Sequence, residues 1–232
     1  MKSLTTYITE KMVYTKATAN NKPVYNYHPK TKEELKDILQ ELIQERGKEG
    51  DFNDIDTSEI TDMRGLFYYV CKTFNGNISN WDVSNVTDMS DMFKECYHFN
   101  QPLNDWDVSN VTIMYYTFES CKKFNQPLDK WDVSNVKNIA WMFNDCQSFN
   151  QPLDDWDVSN VEEMSGMFHN CYSFNQDLSK WDVSKVIRIS NMFNGCNSFN
   201  QDLSKWDISN AEYKFDMFLR CPIEEKYKPK FK

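Results

Sequence analysis

No apolar run in these 232 residues approaches the length of about 20 that crosses a bilayer, so no membrane span is read. The start, MKSLTTYITEKMVYTKATANN, alternates polar and apolar residues without a hydrophobic block, so it is not a secretory signal. The seven cysteines include no C-x-x-C pair, which argues against a structural zinc site. The three histidines, His28, His98 and His169, are scattered. No glycine run cradles a phosphate, and no nucleophile sits beside a base. Catalytic residues, cofactor and metal are therefore all expected to be absent. Cation clusters are missing from the body of the chain: residues 51–220 carry 26 acidic against 13 basic side chains. That balance argues against nucleic acid as a partner.

What is present is repetition. WDVSNVTDMSDMFKECYHFNQPLND, from Trp81 to Asp105, restarts at Trp106, Trp131, Trp156, Trp181 and Trp206, always 25 residues on. Cys71, Cys96, Cys121, Cys146, Cys171, Cys196 and Cys221 keep the same period. A degenerate copy comes first, with Ile55 in the place of Trp and one extra residue before Cys71. Self-similarity at this period is the mark of a solenoid, in which one unit alone cannot bury its apolar side. The fold expected is an α/β repeat solenoid over residues 52–221, a leucine-rich-repeat-like stack of six to seven coils.

Within one coil Val86, Met89, Met92, Phe93 and Cys96 make a helical stripe, with Ser84 as its N-cap. Trp81 and Val83 alternate with Asp82 as a short strand should. Each coil is thus read as a short strand plus a short helix. Residues 31–51 supply an N-terminal capping helix, opened by the Thr31/Glu34 capping box and closed by Gly47. Residues 1–30 form an N-terminal extension, and residues 222–232 a basic C-terminal tail expected to be disordered.

Stacking turns each recurring residue into a ladder. Trp81, Trp106, Trp131, Trp156, Trp181 and Trp206 become an aromatic spine. Asn100, Asn125, Asn150, Asn175 and Asn200 satisfy backbone groups of adjacent coils. Cys96, Cys121, Cys146, Cys171 and Cys196 are read as buried free thiols, because packed helices hold like positions about 8–10 Å apart, beyond disulfide reach. The file from Asp82 to Asp207 is read as local turn bonds to Ser, with a row of Ca²⁺ sites as the alternative.

If the constant words build the scaffold, function belongs to the words that change. Tyr115, Tyr116 and Trp141 stand in two neighbouring coils, Tyr116 and Trp141 at equivalent outward positions. Adjacent exposed aromatics suit a protein hot spot or a sugar-stacking platform. The alternative is aromatics folded over the surface they stand on.

The phrase FNQPLxxWDVSNVxxMxxMFxxC resembles the BspA-type leucine-rich-repeat surface proteins. The branch is the one found in mycoplasma lipoproteins and in gut and oral bacteria, with copies in some large viruses and phages. The resemblance covers residues 52–221, and YHPKTKEELKDIL resembles the lead-in to such arrays. It implies a curved solenoid used for adhesion or for host-protein binding at a cell surface, and it supplies no catalytic residues. The signal peptide, lipobox cysteine and wall anchor of surface members are not found in this sequence, which leaves delivery by another route or a cytoplasmic site. The reading is a bacterial or phage interaction module for a protein or glycan, as a monomer or with weak self-association. The alternative is an assembly component that uses the array to self-associate.

Overall fold

A computed structural model describes residues 24–230; residues 1–23 of the extension and the last two of the tail lie outside the described residues. Helix α1 spans Lys32–Arg46. At its start Thr31 Oγ1 accepts the Glu34 N–H at 3.2 Å, and Glu34 Oε2 accepts the Lys30 N–H at 2.7 Å. The first bond uses a donor that the first turn leaves without a partner, and the second ties down the residue before the cap. It ends at Gly47, whose φ of 78° strains any L side chain. Leu35, Ile38, Leu39 and Leu42 bury one face of α1, which packs on helix α2, Leu66–Val70.

Beyond α1 the chain repeats in space as it does in sequence. A file of parallel bridges joins Asp62, Asp88, Ile113, Asn138, Glu163, Arg188 and Tyr213, each to the next. Like residues therefore stand over like. Phe93, Phe118, Phe143, Phe168 and Phe193 stack at centroid separations of 5.3 to 5.8 Å. A second file, Phe99, Phe124, Phe149, Phe174 and Phe199, repeats at 6.0 to 6.1 Å. The two files touch at 4.0 to 4.3 Å within each repeat. Stacked aromatic pairs add about 0.5–1.5 kcal/mol beyond area burial, so these twin files are the centre of the core.

The helix expected in each 25-residue repeat is absent. Val86, Met89, Met92, Phe93 and Cys96 are buried, but a chain of turns carries them. The N–H groups of Met89, Asp91, Phe93 and Glu95 leave the repeat and donate to the carbonyls of Ile113, Tyr115, Thr117 and Glu119 at 2.7 to 3.0 Å. Those of Met92, Lys94 and Cys96 close short turns onto Met89, Asp91 and Phe93. Asp91 and Glu95 take left-handed backbone, φ 57° each, which an α-helix does not contain. Linked turns bury every third or fourth residue, as a helix does, so the apolar spacing did not distinguish them. Among the repeats a helical turn forms at α2, where the extra residue lets the Tyr69 and Cys71 N–H groups reach Gly65 and Phe67, four residues back.

The strand expected at Trp81–Val83 is displaced as well. The bridges fall at the Asp88 position. Trp81–Val83 lies between turns closed by Trp81 N–H on Ile78 and Val86 N–H on Val83. Asp82 Oδ1 accepts the Ser84 N–H at 3.0 Å and its hydroxyl at 2.6 Å, which bends the chain before a ladder can form. Ser84 thus serves that turn and caps no helix.

The constant polar groups bond between repeats. The indole Nε1 of Trp81, Trp106, Trp131, Trp156, Trp181 and Trp206 donates to a carbonyl of the preceding repeat at 2.8 to 3.2 Å. The Oδ1 atoms of Asn100, Asn125, Asn150 and Asn175 each accept the backbone N–H of the next asparagine at 2.9 Å, and Asn200 Oδ1 accepts that of Glu224. Each unit thereby satisfies a backbone donor that burial would otherwise leave unmade.

All seven cysteines are free. The reason is not helix spacing, since the repeats have no helices there and lie at bridge separation, where about 7 Å between Cα atoms admits a disulfide. Every sulfur but that of Cys71, which faces the Thr73 hydroxyl at 3.5 Å, instead turns to a carbonyl. Cys121, Cys146, Cys171 and Cys196 donate to Phe93, Phe118, Phe143 and Phe168 at 2.7 to 3.0 Å, while Cys96 lies 3.7 Å from the Cys71 carbonyl. Burial pushes these thiols well above their ordinary range. The tail is ordered through residue 230. Ile223 is buried, and Leu203 N–H donates to the Tyr227 carbonyl at 2.8 Å, so the tail packs on the last repeat.

Candidate functional site

The variable side chains stand along the outward turns, and two columns carry the chemistry. The first holds Gly65, Asp91, Tyr116, Trp141, Gly166, Asn191 and Asp216, all left-handed with φ between 55° and 61°. Such backbone costs an L residue about 1–2 kcal/mol; Gly escapes the cost, and Asn and Asp tolerate it best. Every occupant is one of those three types except Tyr116 and Trp141, which are neighbours.

Their rings lie 6.2 Å apart, tilted by 31°. Tyr115 meets Tyr116 at 4.0 Å. Trp141 reaches the His169 imidazole edge-on at 5.5 Å. The indole also lies over Gly166, where an added Cβ would stand 2.3 Å from the ring. Gly166 therefore makes room for Trp141. Tyr115, Tyr116 and Trp141 are half-buried, so the rings lean on the surface and present one face.

The second column runs Lys94, Glu119, Asn144, His169. Lys94 Nζ stands 2.8 Å from Glu119 Oε2 and 4.1 Å from the Tyr116 ring centroid. The contact with Oε2 is an ion pair rather than an aligned hydrogen bond. Burial opposes the charge on Lys94, yet Glu119 and Asp91 overcome it and raise its pKa. Asn144 Nδ2 donates to Glu119 Oε1 at 3.1 Å, so Asn144 Oδ1 faces His169 Nδ1 at 2.7 Å as the acceptor. That network assigns the proton to Nδ1 and leaves Nε2 as an acceptor. Burial lowers the His169 pKa, with Asp145 opposing. Burial and the bond to Tyr115 raise that of Tyr116.

The result is an aromatic ridge with a paired cation at one end and a neutral imidazole at the other. It can stack on a sugar face, or receive an apolar or guanidinium side chain. Sequence reading found the three aromatics but missed the polar column, taking His169 as isolated. The signal was available: Lys94, Glu119, Asn144 and His169 are 25 residues apart. It also missed a second asparagine ladder, in which Asn85, Asn110, Asn135, Asn160 and Asn210 Nδ2 donate to seryl carbonyls at 2.7 to 2.9 Å.

The outward aspartates form local turns. Ser109, Ser159 and Ser184 donate to Asp107, Asp157 and Asp182, and these bonds, side-chain first, lower the carboxyl pKa values. Among the described residues no three His, Cys, Asp or Glu side chains converge as a metal set, and no helix is long and apolar enough to cross a membrane. Comparison with curated proteins and with solved structures finds no match. A family match covers residues 36–155 and 127–227, most of the array and part of α1. On that match the chain belongs to the family described as Mycoplasma protein of unknown function, DUF285.

Proposed function

We propose that the chain is a non-enzymatic binding module, a leucine-rich-like solenoid of the BspA type, which holds a protein or glycan on Tyr115, Tyr116 and Trp141. The observation that carries this reading is backbone strain. Tyr116 and Trp141 keep φ of 57° and 58°, where other repeats place Gly, Asp or Asn. Two bulky residues in adjacent left-handed sites bear a cost of about 1–2 kcal/mol each, as Glu95, Ser120 and Arg220 do in the neighbouring column, and here both are aromatic and side by side. Strain of this kind clusters at functional sites, and here it sets two rings side by side on the variable surface.

The test is the double variant Tyr116→Asn, Trp141→Asn, which restores the residue type of Asn191. Wild type and variant are screened against printed glycans and immobilised extracellular-matrix proteins. A partner of the wild type that binds the variant at least tenfold more weakly, at unchanged folding, supports the ridge. A partner that binds both equally removes it.

A further inference from the structure

From the Met89 position to the Glu95 position of each repeat, the backbone hydrogen bonds between repeats point one way. In each repeat alternate N–H groups donate forward: Met89, Asp91, Phe93 and Glu95 to the second unit, and Ile189, Asn191, Phe193 and Gly195 to Tyr213, Phe215, Met217 and Leu219. The same segment receives from the repeat before it through its carbonyls, and the bridge residue that precedes it donates backward, as Tyr213 does to the Ile187 carbonyl at 3.2 Å. Peptide dipoles so aligned add along the stack, as they do in a helix, and leave partial positive charge at the forward end. There the row comes to a stop. Among the described residues the N–H groups of Lys214, Asp216, Phe218 and Arg220 have no hydrogen-bond partner.

We infer that this edge, residues 213–220, docks an extended segment of another protein that carries apolar side chains, whose backbone carbonyls pair with the four free donors. Three observations select that occupant. The edge offers only donors, so a two-fold pair of copies would set donor against donor. Head-to-tail stacking is closed too, because the first repeat is covered by α1, with Lys32 Nζ on the Arg64 carbonyl. The flanking side chains suit a peptide: Tyr213, Phe215 and Leu219 are 45%, 61% and 49% exposed, the largest such group in one repeat. The charge on the edge is balanced, with Lys214 and Arg220 against Glu212 and Asp216, while Lys228 is paired with Glu225 at 2.6 Å. Strand addition of this type takes affinity from main-chain bonds and selectivity from side-chain contacts. The edge lies apart in sequence from the aromatic ridge, and the inference does not depend on it.

The probe is a peptide of residues 83–97 with Cys96→Ser. In the folded chain this segment accepts the Gly65 and Phe67 N–H groups on its Ser90 and Met92 carbonyls. Amide hydrogen exchange of the full-length chain is followed as the peptide is added. The expected result is at least tenfold slower exchange at Lys214, Asp216, Phe218 and Arg220, lost in the Phe215→Glu, Leu219→Glu variant. Both residues are exposed, so that variant keeps its fold, and exchange in the inner repeats checks it. No protection at about 1 mM peptide overturns the inference. So does protection by inorganic phosphate alone, which makes the row an anion nest, or stronger protection by a peptide of residues 1–23, which makes the occupant this chain's own extension.

Discussion

Two aromatic columns run along this molecule, and they obey opposite rules. The inner one, from Phe93 to Phe193, is fully buried, with successive rings within 14° of parallel. It has the same residue in every copy. The outer one has aromatics in two copies, tilted, half-buried and on left-handed backbone. Identity down a column marks a position where every unit meets its own kind and only one shape packs. Departure from Gly, Asp and Asn at a left-handed position is what the proposed ridge rests on. The same contrast appears inside the Tyr116 copy. Thr117 stands where the other full copies have Met, and its hydroxyl donates to the Met89 and Met114 carbonyls.

The sharpest way to break this contrast is Phe143→Ala. It removes a ring that touches Phe118, Phe149 and Phe168, and truncation of a buried Phe costs about 3–5 kcal/mol. Urea unfolding should show that loss, because each unit is held only by its neighbours. A cost under about 1 kcal/mol would deny the inner column its supporting role. A smaller loss, about 1 kcal/mol, is expected for Asn150→Ala, which strips the acceptor from the Asn175 N–H and from Gln176 Nε2. The same readout checks it. No change would mean that water replaces the side chain without cost.

The inward and outward assignment was legible because it needs only register. Residues 25 apart share an environment whatever backbone carries them, so the buried Trp, Phe and Cys positions followed from repetition. The backbone was not legible. Met89, Met92, Phe93 and Cys96 fit a helix and a chain of turns equally well. The deciding feature was the left-handed pair at Asp91 and Glu95. Its trace in the sequence is the Gly, Asp and Asn content of the first column, and Tyr116 and Trp141 interrupt that trace. The adjacency of those two rings was legible; their strain was not. Lys94, Glu119, Asn144 and His169 each look like a solvated polar residue within their own copy, because the partner of each lies one repeat away.

The outer column makes a prediction of opposite sign. Trp141→Asn relieves left-handed strain, so stability should hold or rise by up to about 1 kcal/mol, whereas almost any other large-to-small change here lowers it. Thermal unfolding of the single variant reads this directly. A loss above about 1 kcal/mol would show that the indole, lying over Gly166, is structural packing.

The smallest expected effect separates the ends of the molecule from its interior, and it depends on pH. The inner repeats meet through buried rings and neutral amides, with ion pairs such as Lys94–Glu119 and Lys180–Asp154 on their outer side. Between α1 and the first repeats charge is added to the buried leucine face: Lys32 on Asp62 at 3.1 Å, and Arg46 on both Asp54 oxygens at 2.7 and 3.0 Å. Burial acts to raise the Asp62 pKa, but Arg64 and Lys32 overcome it and hold it down to about 2. Asp54 is lowered likewise, burial being outweighed by Arg46 and Asn26. A carboxyl depressed in the folded state contributes stability above its unfolded pKa, and that contribution fades as pH falls through the folded one. These contacts should therefore be at full strength above about pH 4 and weaken towards about pH 2. Partly exposed pairs are worth under about 1 kcal/mol each, so the array should outlast its cap. Hydrogen exchange at pH 5 and pH 3 should show the amides of α1 losing protection while those of Phe143 and Phe168 keep theirs. Asp62→Asn should narrow that gap by weakening the cap at pH 5. Equal loss at both places would mean that acid acts on the stack as a whole, and that the ionic seam is not its weakest joint.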